Sequence, residues 1–139
     1  MNLINRFRIQ QGFTLTEILI AVAVVGVLAT VALPTYQSYM LTVRRSDAHT
    51  ALNMFAMAME RQYVRDNRYN VSSTVADVYQ DTSDRGFYSL DFGTVTAVTY
   101  ILHATPIGAQ ASDSGCGTIT INHLGERTAS GTLGDEACW

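Results

Sequence analysis

Residues Gly12–Glu17 read GFTLTE and open directly onto Ile18–Leu33, ILIAVAVVGVLATVAL, a run that carries no charge. An ordinary secretory signal places its apolar region before a small-residue cleavage site, so the apolar part leaves with the leader. Here the order is reversed, with a polar stretch containing Arg6 and Arg8 in front. Phe13–Leu33 spans roughly 31 Å as a helix, close to the hydrocarbon thickness of a bilayer. The first twelve residues hold no acidic side chain, so the positive-inside rule keeps them cytoplasmic and sends the rest outward. The ten Ile, Leu and Val residues of Ile18–Leu33 favour insertion by roughly 3 to 6 kcal/mol. Glu17 opposes it by about 2.5 to 3.5 kcal/mol at mid-bilayer, and by less near an end. The balance suits a span that a membrane can hold and later release.

GF[TS]LxE ahead of an apolar helix resembles the processing site of type IV prepilins. The resemblance implies cleavage after Gly12 by a membrane prepilin peptidase, N-methylation of Phe13, and retention of the apolar helix on the mature chain. It further implies that Glu17 neutralises the N-terminal amine, in its own subunit or a neighbouring one, during assembly. Read from residue type alone, Glu17 is equally a carboxylate tolerated near the membrane surface. Thr16 departs from the usual aliphatic residue at its position.

Gly26 and Pro34 bracket the second half of the span. Glycine is a poor helix former, and proline removes a backbone donor and crowds the preceding turn, so a bend or a melted segment is expected between them. A simple kink and a segment that unwinds in a filament, as the resemblance adds, both remain open.

After Pro34 the pattern turns amphipathic. Ala48, Leu52, Phe55, Met59 and Tyr63 recur at helical spacing, which predicts a helix lying on a core and continuing to about Arg65. Arg45, Asp47, Asn53, Glu60 and Arg61 are assigned to its other faces, and Met54, Met57 and Met59 to gap-filling core. Residues 66–86 read as a long surface connection, the place of the variable loop in pilins. Asp77, Asp81 and Asp84 lie within it without the compact alternation of a calcium loop and read as a solvated face.

Past Gly86 the period becomes two. Tyr88, Leu90 and Phe92 mark one strand; Val98, Tyr100, Leu102 and Ala104 a second; Ile119 and Ile121 a third; and a short return strand is weakly signalled around Arg127–Ser130. Gly93, Pro106, Gly108, Gly115 and Gly125 read as punctuation. Cys116 and Cys138, the two cysteines of an exported chain, read as one disulfide in preference to a metal or catalytic pair, contributing about 3 kcal/mol in the chain-entropy model. Trp139 is expected to pack against that staple. The stretch from Tyr100, YILHATPIGAQASDSGCGTITINHLGE, with the closing CW, is similar to the C-terminal half of PilE-type minor pilins.

Together these readings predict an α+β chain with the type IV pilin fold: a long N-terminal α-helix packed on an antiparallel β-sheet of three to four strands, with a disulfide-closed C-terminal region. Residues 1–12 are the leader to be removed, 13–34 the transmembrane and filament-core half-helix, and 35–139 the periplasmic head, with its sheet in 87–139. Before assembly the chain sits in the inner membrane by a single pass, and after assembly in a surface pilus. The partners implied are other major and minor pilins, the prepilin peptidase and the inner-membrane assembly platform.

The formal charge is −3, and loss of Met1–Gly12 removes two arginines and takes it to −5. An acidic exported head is a poor bulk match to nucleic acid. Arg61, Arg65 and Arg68 nevertheless recur at spacings of four and three beside Tyr63 and Tyr69. A solvated or subunit-facing stripe is the preferred reading; DNA contact is the alternative, since some pilins similar to the PilE type act as receptors in natural uptake. A type II secretion pseudopilin is a further alternative, against which the paired cysteines and closing CW argue. His49, His103 and His123 form no metal box, no cofactor motif occurs, and neither a phosphate loop nor a nucleophile elbow is present. The chain therefore reads as a structural subunit, a minor pilin that helps initiate or bridge a pilus, and not as an enzyme.

Overall fold

The helical pattern that starts at Leu15 runs without interruption to Asp66, giving α1 (Leu15–Asp66) with Pro34 inside it. The structure, a computed structural model, describes residues 12–69 and 74–139. Arg6 and Arg8 of the leader lie outside the described residues. Cα proximity divides the chain into two compact units, one ending at Ser38 and the other spanning Tyr39–Trp139.

In the first unit every large apolar side chain from Phe13 to Leu33 is at least half exposed. α1 is long and apolar enough here to cross a membrane, and none of that window is buried. Hydroxyls fold back onto the helix: Thr30 donates to the Val27 carbonyl (2.7 Å), and Thr35 to that of Val31 (2.9 Å).

In the second unit Ala48, Ala51, Leu52, Phe55 and Met59 of α1 are buried against a four-stranded sheet. Its strands are β1 (Tyr88–Val95), β2 (Tyr100–Pro106), β3 (Ile119–Asn122) and β4 (Arg127–Ala129), antiparallel in the order β1-β2-β3-β4. Tyr88 and Leu90, Tyr100, Leu102 and Ala104, and Ile119 and Ile121 form the buried face. Each fully buried large side chain contributes about 1.5 to 3 kcal/mol by leaving water. Polar residues alternate onto the wet face, as in any sheet with one face covered.

α1 ends at Asp66; the next residue, Asn67, has a φ of 52° that breaks the helix while its N–H still reaches the Tyr63 carbonyl (2.8 Å). The 66–86 connection contains a one-turn helix, α2 (Val75–Val78), where Thr74 and Asp77 form a capping box. Asp81 and Asp84 make local contacts with Thr82 and Gln80. A 3-10 turn at Gly108–Gln110 and the short helix α3 (Asp135–Cys138) complete the chain. Cys116 and Cys138 form a disulfide.

Four expectations need correction. Val98 lies in the turn before β2 and is 63% exposed, because the β1–β2 hairpin turns between Thr96 and Thr99. Met54 and Met57 point to solvent at 42% and 54% exposure, and of the three methionines only Met59 shares the angular sector of Leu52 and Phe55. Arg45 and Asp47 are buried, held by partners distant in sequence. Gly93 does not end a strand: it lies inside β1, where a Cβ would meet the His103 ring at 2.5 Å.

Candidate functional site

Thr14 and Glu17 close the N-terminal end of α1 reciprocally. The Glu17 carboxylate accepts from the Thr14 N–H (2.9 Å) and hydroxyl (2.8 Å), and the Thr14 hydroxyl in turn accepts the Glu17 N–H (3.3 Å). This is a capping box, two donors at the helix start satisfied by one T-x-x-E pattern. Sequence reasoning singled out Glu17 for its charge and missed Thr14, although the spacing was legible. Phe13 is 84% exposed, and Gly12 lies beside it with no side chain to add.

Gly26 meets open space within the subunit: a Cβ there would touch nothing within 4 Å. Among the described residues, no packing contact requires a glycine at that position. Pro34 stands within continuous helix, so the segment from Gly26 to Pro34 is helical in the single subunit.

Of the three candidate arginines, Arg61 and Arg65 share α1, whereas Arg68 lies beyond its end at Asp66. The three do not form one helix edge. Arg65 is engaged with Asp66 at 3.0 and 3.1 Å, which raises the guanidinium pKa and lowers that of the carboxyl. Arg61 and Arg65 line a groove of about 220 Å³ with Ala58, Gln62, Asp77 and Val78.

Three side-chain networks hold the head, and sequence reasoning found none of them. Arg45 makes two hydrogen bonds of 2.8 Å to the carboxylate of Asp113. Gln110 Nε2 donates to the same carboxylate (2.9 Å) and to the Leu41 carbonyl (3.1 Å), and lies 3.0 Å from the Tyr88 hydroxyl. Burial alone would push the Asp113 carboxyl up; the Arg45 hydrogen bonds and charge outweigh it and hold the group below the usual carboxylate range. Burial pushes the Tyr88 hydroxyl up to about 12. In the second network Asp47 accepts from the Ser83 hydroxyl (2.5 Å) and the Arg85 N–H (3.3 Å), pinning the end of the connection to α1. In the third, Glu60 accepts from the hydroxyls of Tyr69 (2.9 Å) and Tyr100 (3.0 Å). Burial and then the Glu60 carboxylate push Tyr69 up to about 12, and the same two causes raise Tyr100.

The C-terminal tail is clamped as well as stapled. Trp139 stacks on His49 at 4.9 Å, lies under the Arg127 guanidinium at 4.9 Å, and donates through Nε1 to the Thr128 carbonyl (3.0 Å). His49 Nε2 lies 2.7 Å from the Cys138 carbonyl. Asp135 accepts the Ala129 N–H (2.7 Å), so tail residues cover the outer edge of β4. His103 faces Asp91 across the wet side of the sheet at 3.5 Å.

A half-helix with no cover, joined to a disulfide-closed helix-on-sheet head, is the arrangement that the comparisons with known proteins match. A family model described as type IV minor pilin ComP, DNA uptake sequence receptor, matches residues 34–120, and one described as the prokaryotic N-terminal methylation motif matches residues 7–33. The chain belongs to the ComP family of type IV minor pilins.

The pilin is 36% identical over 93 residues to the type IV major pilin protein PilE of Neisseria gonorrhoeae, covering 64% of this chain and 56% of that protein. It is also 36% identical over 80 residues to a fimbrial protein of Neisseria meningitidis serogroup A, covering 58% of this chain and 47% of the other. The pilin spans about half the length of these curated relatives. Among solved structures it is similar to the non-core minor pilin PilV of Neisseria meningitidis, with a TM-score of 0.57 and 26% identity over 68% of this chain and 91% of that one. A type IV pilin from Shewanella oneidensis gives a TM-score of 0.51 at 28% identity, over 71% of this chain and 97% of the other. Pilins are structural proteins that assemble with other pilins. A methylation motif joined to an apolar helix fits a subunit first anchored in a membrane and then built into a pilus.

Proposed function

We propose that this minor pilin is cleaved after Gly12, methylated at Phe13, held in the inner membrane by residues 13–34 with its head in the periplasm, and then built into a pilus through that same helix. The observation that carries the reading is the apolar half of α1, at least half exposed at its large side chains and without a charge after Glu17 until Arg44. Such a surface needs lipid or other helices around it. The prepilin peptidase and the inner-membrane assembly platform are its processing partners, and other major and minor pilins its neighbours. In the filament Glu17 neutralises the amine of Phe13, its own or a neighbour's, since two groups each costly in an apolar core become tolerable as a pair. Fractionation of a Glu17→Ala variant tests this: membrane insertion is retained or improved and incorporation into sheared filaments falls. Wild-type incorporation of the variant contradicts the role. The subunit's task is to help initiate or bridge the filament.

A second reading is favoured by the family match at residues 34–120: the head serves as a DNA receptor in uptake, with Arg61 and Arg65 in their groove as phosphate contacts. Phosphate binding falls steeply with salt, with a slope near −0.9 per contact on duplex DNA. Duplex binding measured across salt concentrations on wild type and on Arg61→Ala/Arg65→Ala tests it. A slope about two units shallower in the variant supports the reading, and an unchanged slope removes these arginines from it.

A further inference from the structure

α1 covers one face of the sheet, and the opposite face carries two rows of side chains that cross its strands in register. Asp91 pairs with His103, His103 with Thr120, and Thr120 with Thr128, so each of β1 to β4 supplies a residue. Beside it runs a row of hydroxyls. Ser89 stands opposite Thr105, whose Oγ1 lies 3.3 Å from that of Thr118, and Ser130 Oγ accepts the Thr118 N–H (2.9 Å). Outward surfaces ordinarily mix charges of both signs. In these two rows the ionisable side chains are Asp91 and His103 alone, and they lie side by side.

The rows enclose a shallow groove of about 370 Å³, lined by His103, Thr105, Thr118, Thr120, Thr128 and Ser130. That volume falls within the range of small-molecule sites, about 300 to 1,000 Å³. Thr105, Thr118 and Thr120 are half-buried. Cross-strand threonine pairs strengthen a sheet by themselves, but they do not require a space beside them. A glycine provides that space. A Cβ at Gly93 would stand 2.5 Å from His103 Nε2, so the bare backbone of β1 lets the imidazole lie down over it, with Nδ1 3.5 Å from the Asp91 carboxylate. The ring becomes one wall of the groove and leans toward β1, which leaves the hydroxyls of β3 and β4 open to a ligand.

The chemistry of the lining selects that ligand. A hydroxyl has one hydrogen to give and two lone pairs to receive with. Thr105 pairs with Thr118, and Thr120 with Thr128; each pairing spends one O–H, and the other O–H and further lone pairs remain. The groove therefore donates and accepts along its whole length. Its lining holds no Lys, Arg, Asp or Glu. An anion would find no cation there, with Asp91 close by, on a chain of formal charge −3. A metal ion would find no carboxylate and a single imidazole. A ligand whose own groups both donate and accept uses the full set, and the threonine methyls meet its C–H surface. We infer that the groove is a binding site for a neutral saccharide unit, held by hydroxyl-to-hydroxyl hydrogen bonds against the His103 wall. The inference stands on the head alone, apart from how the chain assembles.

The test uses the full chain in lauryldimethylamine oxide micelles, whose headgroup is not a sugar, with the threonine methyls followed in carbon–proton correlation spectra. Methyl glycosides of glucose, galactose, mannose and N-acetylglucosamine are the neutral probes, and galacturonate is the charged one. At least one glycoside shifts the Thr105, Thr118 and Thr120 methyls saturably, and galacturonate binds more weakly than that glycoside. Thr118→Val/Thr120→Val keeps the shape and removes two hydroxyls, and it weakens the glycoside about tenfold at an unchanged unfolding midpoint. Thr128→Val, a single change at an exposed position, weakens it about threefold. No saturable shift with any of the four glycosides overturns the inference. Galacturonate binding as tightly as the glycosides also overturns it, since the groove is then an anion site. Wild-type affinity in both valine variants overturns it as well, because the sugar then sits elsewhere.

Discussion

Arg45 and Asp113, 68 residues apart in sequence, meet in a two-point ion pair with both contacts at 2.8 Å. The pair fastens the loop ahead of Cys116 to the underside of α1, with Gln110 and Tyr88 completing the contacts. Breaking a buried pair by removing one partner leaves the other charge uncompensated. Asp113→Ala should cost about 3 to 5 kcal/mol of stability, read as a lower urea midpoint of the full chain in mild detergent. Replacing both residues by apolar ones of similar volume should recover most of that loss.

Titration of the head follows from the same contacts. The Asp113 pKa is depressed in the folded state, so its contribution is fully present above the ordinary carboxylate pKa of about 3.9 and is lost as pH falls below it. Tyr69 and Tyr100 are raised, so their contribution is intact below the ordinary tyrosine pKa of about 10 and is lost as pH rises past it. Unfolding midpoints measured from pH 2 to 12 should drop at both ends of the range. Asp113→Asn should flatten the acid limb, and Tyr69→Phe/Tyr100→Phe the alkaline one.

Gly131 and Gly26 should respond differently to alanine. A Cβ at Gly131 would lie 2.1 Å from the Gly115 carbonyl oxygen, where the two segments are joined by N–H donation from Gly131 to the Cys116 carbonyl (2.9 Å). Gly131→Ala should therefore lower the thermal midpoint of the head by several degrees, as expected for a loss of about 1 to 3 kcal/mol. Gly26→Ala adds a methyl to open space and should leave that midpoint unchanged. An effect of Gly26→Ala on filament yield would then report a contact made between subunits.

Removal of the disulfide loosens more than a cross-link. Cys116→Ser/Cys138→Ser should cost about 3 kcal/mol by the chain-entropy model. It should also free Trp139 from its seat between His49 and Arg127. A red shift of tryptophan emission under conditions where the far-ultraviolet circular dichroism is unchanged would show the tail released ahead of the core. Trp139 is the only tryptophan in the chain, so the signal is unambiguous.

Much of this architecture was legible from residue spacing. The three- and four-residue recurrence of Ala48, Leu52, Phe55 and Met59 located the buried stripe, and the alternation Tyr88-Leu90 and Tyr100-Leu102-Ala104 located the inner sheet face, because each periodicity is set by backbone geometry. β4 was faint since it has three residues and continues as the irregular pairing of Ser130 and Gly131 with Thr118 and Cys116. Arg45 and Asp47 could not be read as buried: their partners Asp113 and Ser83 lie far along the chain, and no local pattern announces a long-range ion pair. The role of Thr14 is legible in the spacing T-x-x-E, a local pattern that needs no distant partner. Residue type alone points Met54 and Met57 to the core, whereas helical angle turns them outward.

Mass spectrometry of the intact protein recovered from sheared filaments tests the central claim most directly. The account predicts a chain that begins at a methylated Phe13 and retains Leu15–Leu33 within the filament. Absence of the chain from filaments, or a mature form that starts downstream of Leu33, would contradict it.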